Sequence, residues 1–320
     1  MKTALRLLLV LLVAISGHAN AEDWPTKPVR IVVSNSAGSS PDIVTRMVAD
    51  RLSKALGQSF FVDNRAGGQG LIGAELVAKS PPDGYTLYMA SQDVYARNLF
   101  VFKSLPYDPD RDFIPVANVV DSTPFVLAVH PDVPVKSYPE LISFARARPG
   151  KLSMGITIGA SEALARWINV KAGTDILLVP YKVNPQAAQA AVAGDIQALI
   201  ISLPSIEAFV KAGKLRIIAV SSSKRFPQLP AMPTIAETNP GVVMEGRFIL
   251  MAPAGTPAPI VERVNREIDR MLKDPEVVQR IRSFGFSSSD AMTPKTLTGS
   301  IREARETWKR IAADIGLQRE

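Results

Sequence analysis

The chain has 320 residues, no cysteine, two histidines and a formal net charge of +7. Without cysteine it has no disulfide framework, thiolate chemistry, Cys-ligated zinc or iron–sulfur cluster, so a large core must carry its stability alone. Its bases are interleaved with acids, as in Arg263, Arg266, Glu267, Asp269 and Arg270. No Lys/Arg block carries aromatics, which argues against nucleic acid as a partner.

Lys2 and Arg6 precede a short apolar run over 7–15, and Ala19-Asn20-Ala21 has the small-x-small pattern of an export signal. Cleavage is expected after Ala21, with an uncleaved anchor as the alternative. The run is too short to span a bilayer. Export without disulfides fits a bacterial periplasm. Removal of residues 1–21 leaves about 299 residues, enough for two domains of ordinary size.

Residues 29–33 predict a strand. It meets the small, polar turn Ser34-Asn35-Ser36-Ala37-Gly38-Ser39-Ser40-Pro41-Asp42, and a helix is predicted over 42–56, with Ile43, Val44, Met47, Val48, Leu52 and Leu56 on one face. Ser39 and Asp42 have capping-box spacing, and Pro41 suits a first helical turn. A strand feeding a helix N-terminus in this way points backbone N–H groups outward and can hold an anion without a charged side chain. A plain connection is the alternative reading.

A strand over 60–62, the turn Gly67-Gly68-Gln69-Gly70, a helix over 72–79, the turn Pro81-Pro82-Asp83-Gly84 and a strand over 85–90 complete a βαβαβ order. That order predicts a parallel sheet with helices on both faces. Pro106, Pro109 and Pro115 mark a connection. Strands over 126–129, 152–156, 176–179, 196–201 and 215–221 then alternate with helices over 140–148, 161–172, 187–193 and 206–212. A second proline-rich connection (Pro227, Pro230, Pro233, Pro240) leads to a strand over 248–252 and helices over 258–273, 275–284 and 294–315. The chain thus holds two α/β units and a helical tail, which packs most economically on the first unit. Such a chain crosses between units twice and leaves a cleft, where α/β proteins bind ligands. Ser91, Gln92 and Asp93 after the third strand, and 157–161 before a helix of the second unit, are further candidate walls.

Chemistry beyond binding finds little support. His18 lies in the export signal, leaving His130 as the one histidine of the mature chain. There is no D-x-D-x-D-G loop, G-x-S-x-G elbow, G-x-G-x-x-G or G-x-x-x-x-G-K-[ST], so neither a metal nor a cofactor is expected. An exported hydrolase using Ser and His130 is the enzymatic alternative.

Ordered motifs then run through nearly all of the mature chain: Trp24-Pro25-Thr26-Lys27-Pro28-Val29-Arg30-Ile31-Val32-Val33, Val62-Asp63-Asn64-Arg65, Ile72-Gly73-Ala74-Glu75 and Ser80-Pro81-Pro82-Asp83-Gly84-Tyr85-Thr86-Leu87. Leu105-Pro106-Tyr107-Asp108-Pro109, Val179-Pro180-Tyr181-Lys182, Ala212-Gly213-Lys214-Leu215-Arg216, Leu229-Pro230-Ala231-Met232-Pro233-Thr234 and Ala252-Pro253-Ala254-Gly255-Thr256-Pro257 follow. On these the chain resembles the Bug, or TctC-like, substrate-binding proteins of tripartite tricarboxylate transporters.

The resemblance implies a two-domain α/β fold of the type II periplasmic-binding-protein (Venus flytrap) kind, each domain a mostly parallel sheet flanked by helices. Domain 1 would comprise 22–118 and 224–320, and domain 2 would comprise 119–223. It implies a non-enzymatic periplasmic receptor, monomeric, that captures a small carboxylate or aromatic acid and passes it to a large and a small membrane subunit. A sensor docking on a membrane signalling partner is the alternative. The family's carboxylate seat maps to Ser34, Asn35, Ser36, Ala37, Gly38, Ser39, Ser40 and Asp42, completed by Ser91, Gln92, Tyr95, Thr157, Gly159 and Ser161. Relatives carry Pro-Phe and Gly-Gly in the first loop, a longer glycine-rich second loop, and often an aromatic residue at Arg247. Arg97 and Arg247 fall near segments expected to line the cleft, where a guanidinium can grip a second carboxylate with two hydrogen bonds. A surface or hinge salt bridge is the alternative for both.

Overall fold

A computed structural model describes residues 24–288 and 292–320; the expected export signal and its cleavage site lie outside the described residues. Strand β1 (Val29–Val33) lies parallel to β2 (Phe60–Asn64) on one side and to β3 (Thr86–Ser91) on the other. The crossovers are α1 (Ser40–Leu56) and α2 (Leu71–Ala78). Val44, Val48 and Leu52 recur at helical spacing on α1 and are fully buried, so the apolar stripe fixes which face meets the sheet. Gly57, at φ 72°, ends that helix in the left-handed conformation that favours glycine.

After β3 the chain enters a π-helical turn, Asp93–Arg97, and the short helix α3 (Asn98–Val101). It then forms β4, Phe113–Val129. The sequence predicted only the last four residues of this strand, because Pro115 reads as loop punctuation. Proline fits here because β4 is paired on one side and faces an edge on the other at this point, so its missing N–H interrupts no ladder. There follow α4 (Tyr138–Arg146), β5 (Ser153–Thr157), α5 (Ala160–Ala172), β6 (Leu177–Tyr181), α6 (Asn184–Ala193), β7 (Ala198–Ser202), α7 (Glu207–Lys211) and β8 (Arg216–Val220). The chain ends with β9 (Glu245–Pro253), α8 (Ala258–Leu272), α9 (Pro275–Ser283), β10 (Ser287–Ser288) and α10 (Pro294–Asp314).

Strand β4 belongs to two sheets. Residues 113–124 pair antiparallel with β9, which pairs antiparallel with β3. Residues 125–129 pair antiparallel with β7, and 126–129 with β8. The first sheet therefore runs β2-β1-β3-β9-β4-β10, and the second β8-β4-β7-β5-β6, with β5 parallel to β6 and β7. The pairing of β4 with β9 shifts register at three places, after Pro115, Asn118 and Val120. Such bulges bend and twist a strand, which lets one strand leave one sheet and enter the next. The strand changes sheets after Pro124, further along than the expected domain boundary after Asn118.

Helices α8 and α9 bury Val264, Ile268, Val277 and Ile281 in a core shared with α1 and the first sheet, as expected of the tail. Helix α10 departs from that expectation. Its Leu297, Ile301, Trp308 and Ile311 join a core that also contains Trp167 and Ile168 of α5. The Trp167 indole N–H donates to Asp314 at 2.8 Å, and Lys171 pairs with the same carboxylate at 2.7 Å. The last helix therefore ties the second sheet's flank to the first.

Candidate functional site

Strand direction sets where a site can form. Residues 113–124 run parallel to β1 and β3 and leave the first sheet at their carboxyl ends. Residues 125–129 run opposite to β5 and β7, so they enter the second sheet at the carboxyl ends of those strands. The return path lies alongside: the Phe125 N–H donates to the Ser221 hydroxyl at 2.8 Å, and the Ser221 N–H donates to the Phe125 carbonyl at 2.9 Å. The loops after β1, β3, β5, β6 and β7 thus face one another across the two crossing segments, the position at which open α/β sheets bind ligands.

The loop after β1 is wired from within. Ser36, Ala37 and Gly38 are exposed, and Ser34, Asn35, Ser39 and Ser40 half-buried. The expected capping box is not formed: Ser39 is the N-cap but its side chain caps nothing, and its hydroxyl oxygen is buried without a partner. Asp42 instead reaches past it to accept from the Gly38 N–H at 2.8 Å. It also accepts from Asn64 Nδ2 at 2.8 Å and Arg46 Nε at 3.0 Å. Asp42 is 2 % exposed, so it braces the loop and offers no surface to a ligand. Burial alone would raise its pKa, but hydrogen bonds from Arg46, Gly38 and Asn64 outweigh that cost and hold it below the ordinary value. Asn64 also donates to the Asn35 carbonyl at 3.0 Å. Ser34 turns inward, its hydroxyl 2.5 Å from that of Tyr88 and donating to the Gly70 carbonyl at 3.3 Å.

The turn after β3 forms the neighbouring wall. Ser91, Gln92 and Asp93 are half-buried, whereas Tyr95 and Arg97 are buried. Arg97 Nη1 donates to Gln69 Oε1 at 2.6 Å, and its guanidinium lies 5.9 Å from the Trp308 ring centre. Gln69, at φ 54°, is the non-glycine residue held in left-handed backbone among the described residues. Asn98 Nδ2 donates to its carbonyl at 3.1 Å, helping to fix it there.

The second sheet's end is wired by neutral groups: Asn184, which opens α6 after β6, donates to the Ser202 and Ser205 hydroxyls at 3.5 and 3.3 Å, and those hydroxyls lie 2.8 Å apart after β7. Ser161 is 2 % exposed and folds back on its own loop, accepting from the Thr157 N–H at 2.9 Å and donating to the Thr157 carbonyl at 2.8 Å. Thr157 and Gly159 are half-buried. A side chain at Gly159, φ 116°, would meet nothing within 4 Å. Ile158 between them is 73 % exposed, and Val183 after β6 is 50 % exposed.

Two cavities gather some of the expected residues. One, of about 120 Å³, brings Gln92, Tyr95 and Arg247 together with Glu303, Thr307 and Trp308 of α10. The other, of about 290 Å³, sets Arg97 and Val101 against Gly159 of the loop after β5 and Glu162, Ala163 and Arg166 of α5. Arg97 therefore meets the second sheet's loop. Arg247 forms the hinge-type pair, its Nε 3.1 Å from Asp121 Oδ1 and donating to the Asp121 carbonyl at 3.1 Å. The sequence reading did not single out Tyr88, Asn64, Gln69 or Trp308 as site residues, although Asn64 and Gln69 lie in stretches it marked. Tyr88 sits in a strand as an ordinary buried aromatic, and the other three reach the site from distant parts of the chain.

His130 follows β4 as expected of a loop residue, with Nδ1 accepting from the Asp132 N–H at 3.3 Å. Among the described residues no group of three or more His, Cys, Asp or Glu side chains is placed to hold a metal, and no helix is long and apolar enough to cross a membrane.

Comparison with known proteins agrees with this architecture. Residues 44–317 match the model of the tripartite tricarboxylate transporter family receptor, TctC. A UPF0065 protein of Bordetella bronchiseptica is 38 % identical over 312 residues, covering 95 % of this chain and 91 % of that protein. The structure of R. palustris Rpa4515 with adipate superposes with a TM-score of 0.81 at 33 % identity, covering 93 % of this chain and all of that one. MatC of Rhodopseudomonas palustris with bound malate gives 0.74 at 28 % identity, covering 90 % of this chain and 99 % of the other. The chain belongs to the TctC, or Bug, family: it is a periplasmic solute-binding receptor for small carboxylates with a type II binding-protein fold, a transport component and not an enzyme. Its membrane partners are the subunits of a tripartite tricarboxylate transporter.

Proposed function

We propose that the solute is held between the loops at 34–40 and 91–97 on one side and 157–159 and 181–183 on the other, and that the two sheets with their helices form domains that close over it. The observation that carries this is strand direction: the carboxyl ends of β1, β3, β5 and β7 all face the two crossing segments. Domain 1, expected over 22–118 and 224–320, then keeps the first sheet through Pro124, and domain 2, expected over 119–223, begins where β4 enters the second sheet, the whole working as a monomer with a mature chain starting at Glu22. Exposed backbone at Ser36 and Ala37 supplies anion contacts, and Arg97 contributes from the cavity it shares with Gly159. Bound adipate in one relative and malate in another support a compact acid as the ligand class.

Thermal-shift screening of the purified mature protein against mono-, di- and tricarboxylates, aromatic acids and amino acids tests the reading. A ligand at 100 times its dissociation constant stabilises the native state by about 2.7 kcal/mol. A flat response to every acid refutes it. Mass spectrometry of the exported protein tests the start at Glu22, and sedimentation tests the monomer.

A further inference from the structure

Asp93 is the unusual group at this site. It opens the π-helical turn two residues after the end of β3, near Tyr88 and its partner Ser34 at the end of the first sheet. Its side chain is 43 % exposed, so water and solutes reach the carboxylate. Desolvation by the surrounding protein raises its pKa against the lowering effect of Arg97, and its charge opposes ionisation of Tyr88, Tyr95 and Tyr107.

Asp93 and Asp42 differ in their partners. Asp42 accepts from three donors. Among the described residues no hydrogen-bond donor reaches the Asp93 carboxylate. Its contact is with Arg97 Nη1 at 3.8 Å, beyond hydrogen-bonding range, and that nitrogen is committed to Gln69 Oε1 at 2.6 Å. An accessible carboxylate with unfilled acceptor sites in a carboxylate receptor repels a second anionic group and attracts a donor.

We propose that Asp93 selects, among small carboxylates, those that also carry an ammonium group, so that the preferred solute is a short aminocarboxylate rather than a plain diacid. This rests on the carboxylate-receptor reading above and narrows it. The solute carboxylate takes the backbone donors of the loop after β1, and its ammonium donates to Asp93. The two loops leave neighbouring strands, about 4.8 Å apart in a sheet, so a short molecule spans both. Arg97 stays with Gln69 and balances the Asp93 charge in the empty receptor.

Calorimetric titration with butanoate, succinate, 4-aminobutanoate and 2-aminobutanoate, on the wild type and on Asp93→Asn, tests the idea. At least one of the two amino acids is expected to bind tenfold or more tightly than succinate. Asp93→Asn is expected to abolish that preference while leaving butanoate within about threefold. If Asp93→Asn does not fold, Asp93→Ser and the wild-type ratio alone serve the same purpose. Binding of succinate or butanoate in preference to both amino acids, or a ratio unchanged by Asp93→Asn, overturns this inference and leaves the carboxylate receptor standing. Silence from all four probes together with every acid in the wider screen overturns both.

Discussion

At the end of the first sheet, loop geometry is fixed by side chains drawn from several elements. Asp42, Asn64 and Arg46 hold the loop after β1, and Gln69, Arg97 and Asn98 hold the turn after β3. At the end of the second sheet the bonds are made by neutral hydroxyl and amide groups, Ser161 with Thr157 in the loop after β5 and Asn184 with Ser202 and Ser205 across the loops after β6 and β7, and Ile158 and Val183 are exposed beside them. The contrast separates two tasks. A preorganised polar wall distinguishes ligand chemistry, because its donors and acceptors are already in place. In the proposed closure the exposed Ile158 and Val183 cover the ligand, because burying them is favourable whatever polar groups lie beneath.

The comparison breaks first at Asp42. Asp42→Ala removes one acceptor from three donors and is expected to destabilise the protein by about 2–3 kcal/mol, read as a fall of several degrees in the thermal midpoint. The pH dependence has a definite sign. The Asp42 pKa lies below its ordinary 3.8, so its contribution is present in full above that value and is lost as pH falls through the depressed one. Asp42→Asn should therefore flatten the acid limb of a stability profile.

Arg97→Met comes next. It keeps the packing length but removes the bond to Gln69 and the charge beside Asp93, so carboxylate affinity should fall tenfold or more in a calorimetric titration. An unchanged dissociation constant would assign Arg97 to structure alone.

The covering wall should respond differently. Ile158→Ser combined with Val183→Ser is expected to leave the unliganded protein's stability within about 0.5 kcal/mol, since both side chains are exposed. Solute release should quicken about three- to tenfold in stopped-flow measurements. The smallest effect is expected at Asp314→Asn, which weakens the tie between α10 and α5 through Lys171, a pair exposed enough to be worth about 0.5–1 kcal/mol. Denaturant titration measures it.

Local pattern carried much of the fold. Residues 29–33 form β1 as expected, and α8 and α9 end within a residue of their predicted limits. The long strand β4 stayed hidden because Pro115 and Pro124 signal interruption when neighbours are unknown, and only the position of β9 shows that an edge and a crossover accommodate them. The site was legible as loops but not as networks. Ser39 and Asp42 had the spacing of a capping box, yet Asn64 and Arg46 compete for the same carboxylate and draw it to Gly38. Arg247 suggested a ligand grip, while its partner Asp121 lies on a strand 126 residues away in sequence. Pairings of that kind depend on sheet register, which one sequence does not reveal.

The bond from Gly38 to Asp42 makes the chain its own first occupant of the loop after β1. With that N–H already spoken for, the exposed backbone left to meet an incoming acid is that of Ser36 and Ala37. The loop gives up one donor to keep its shape, so what it offers a visitor is position more than number of contacts.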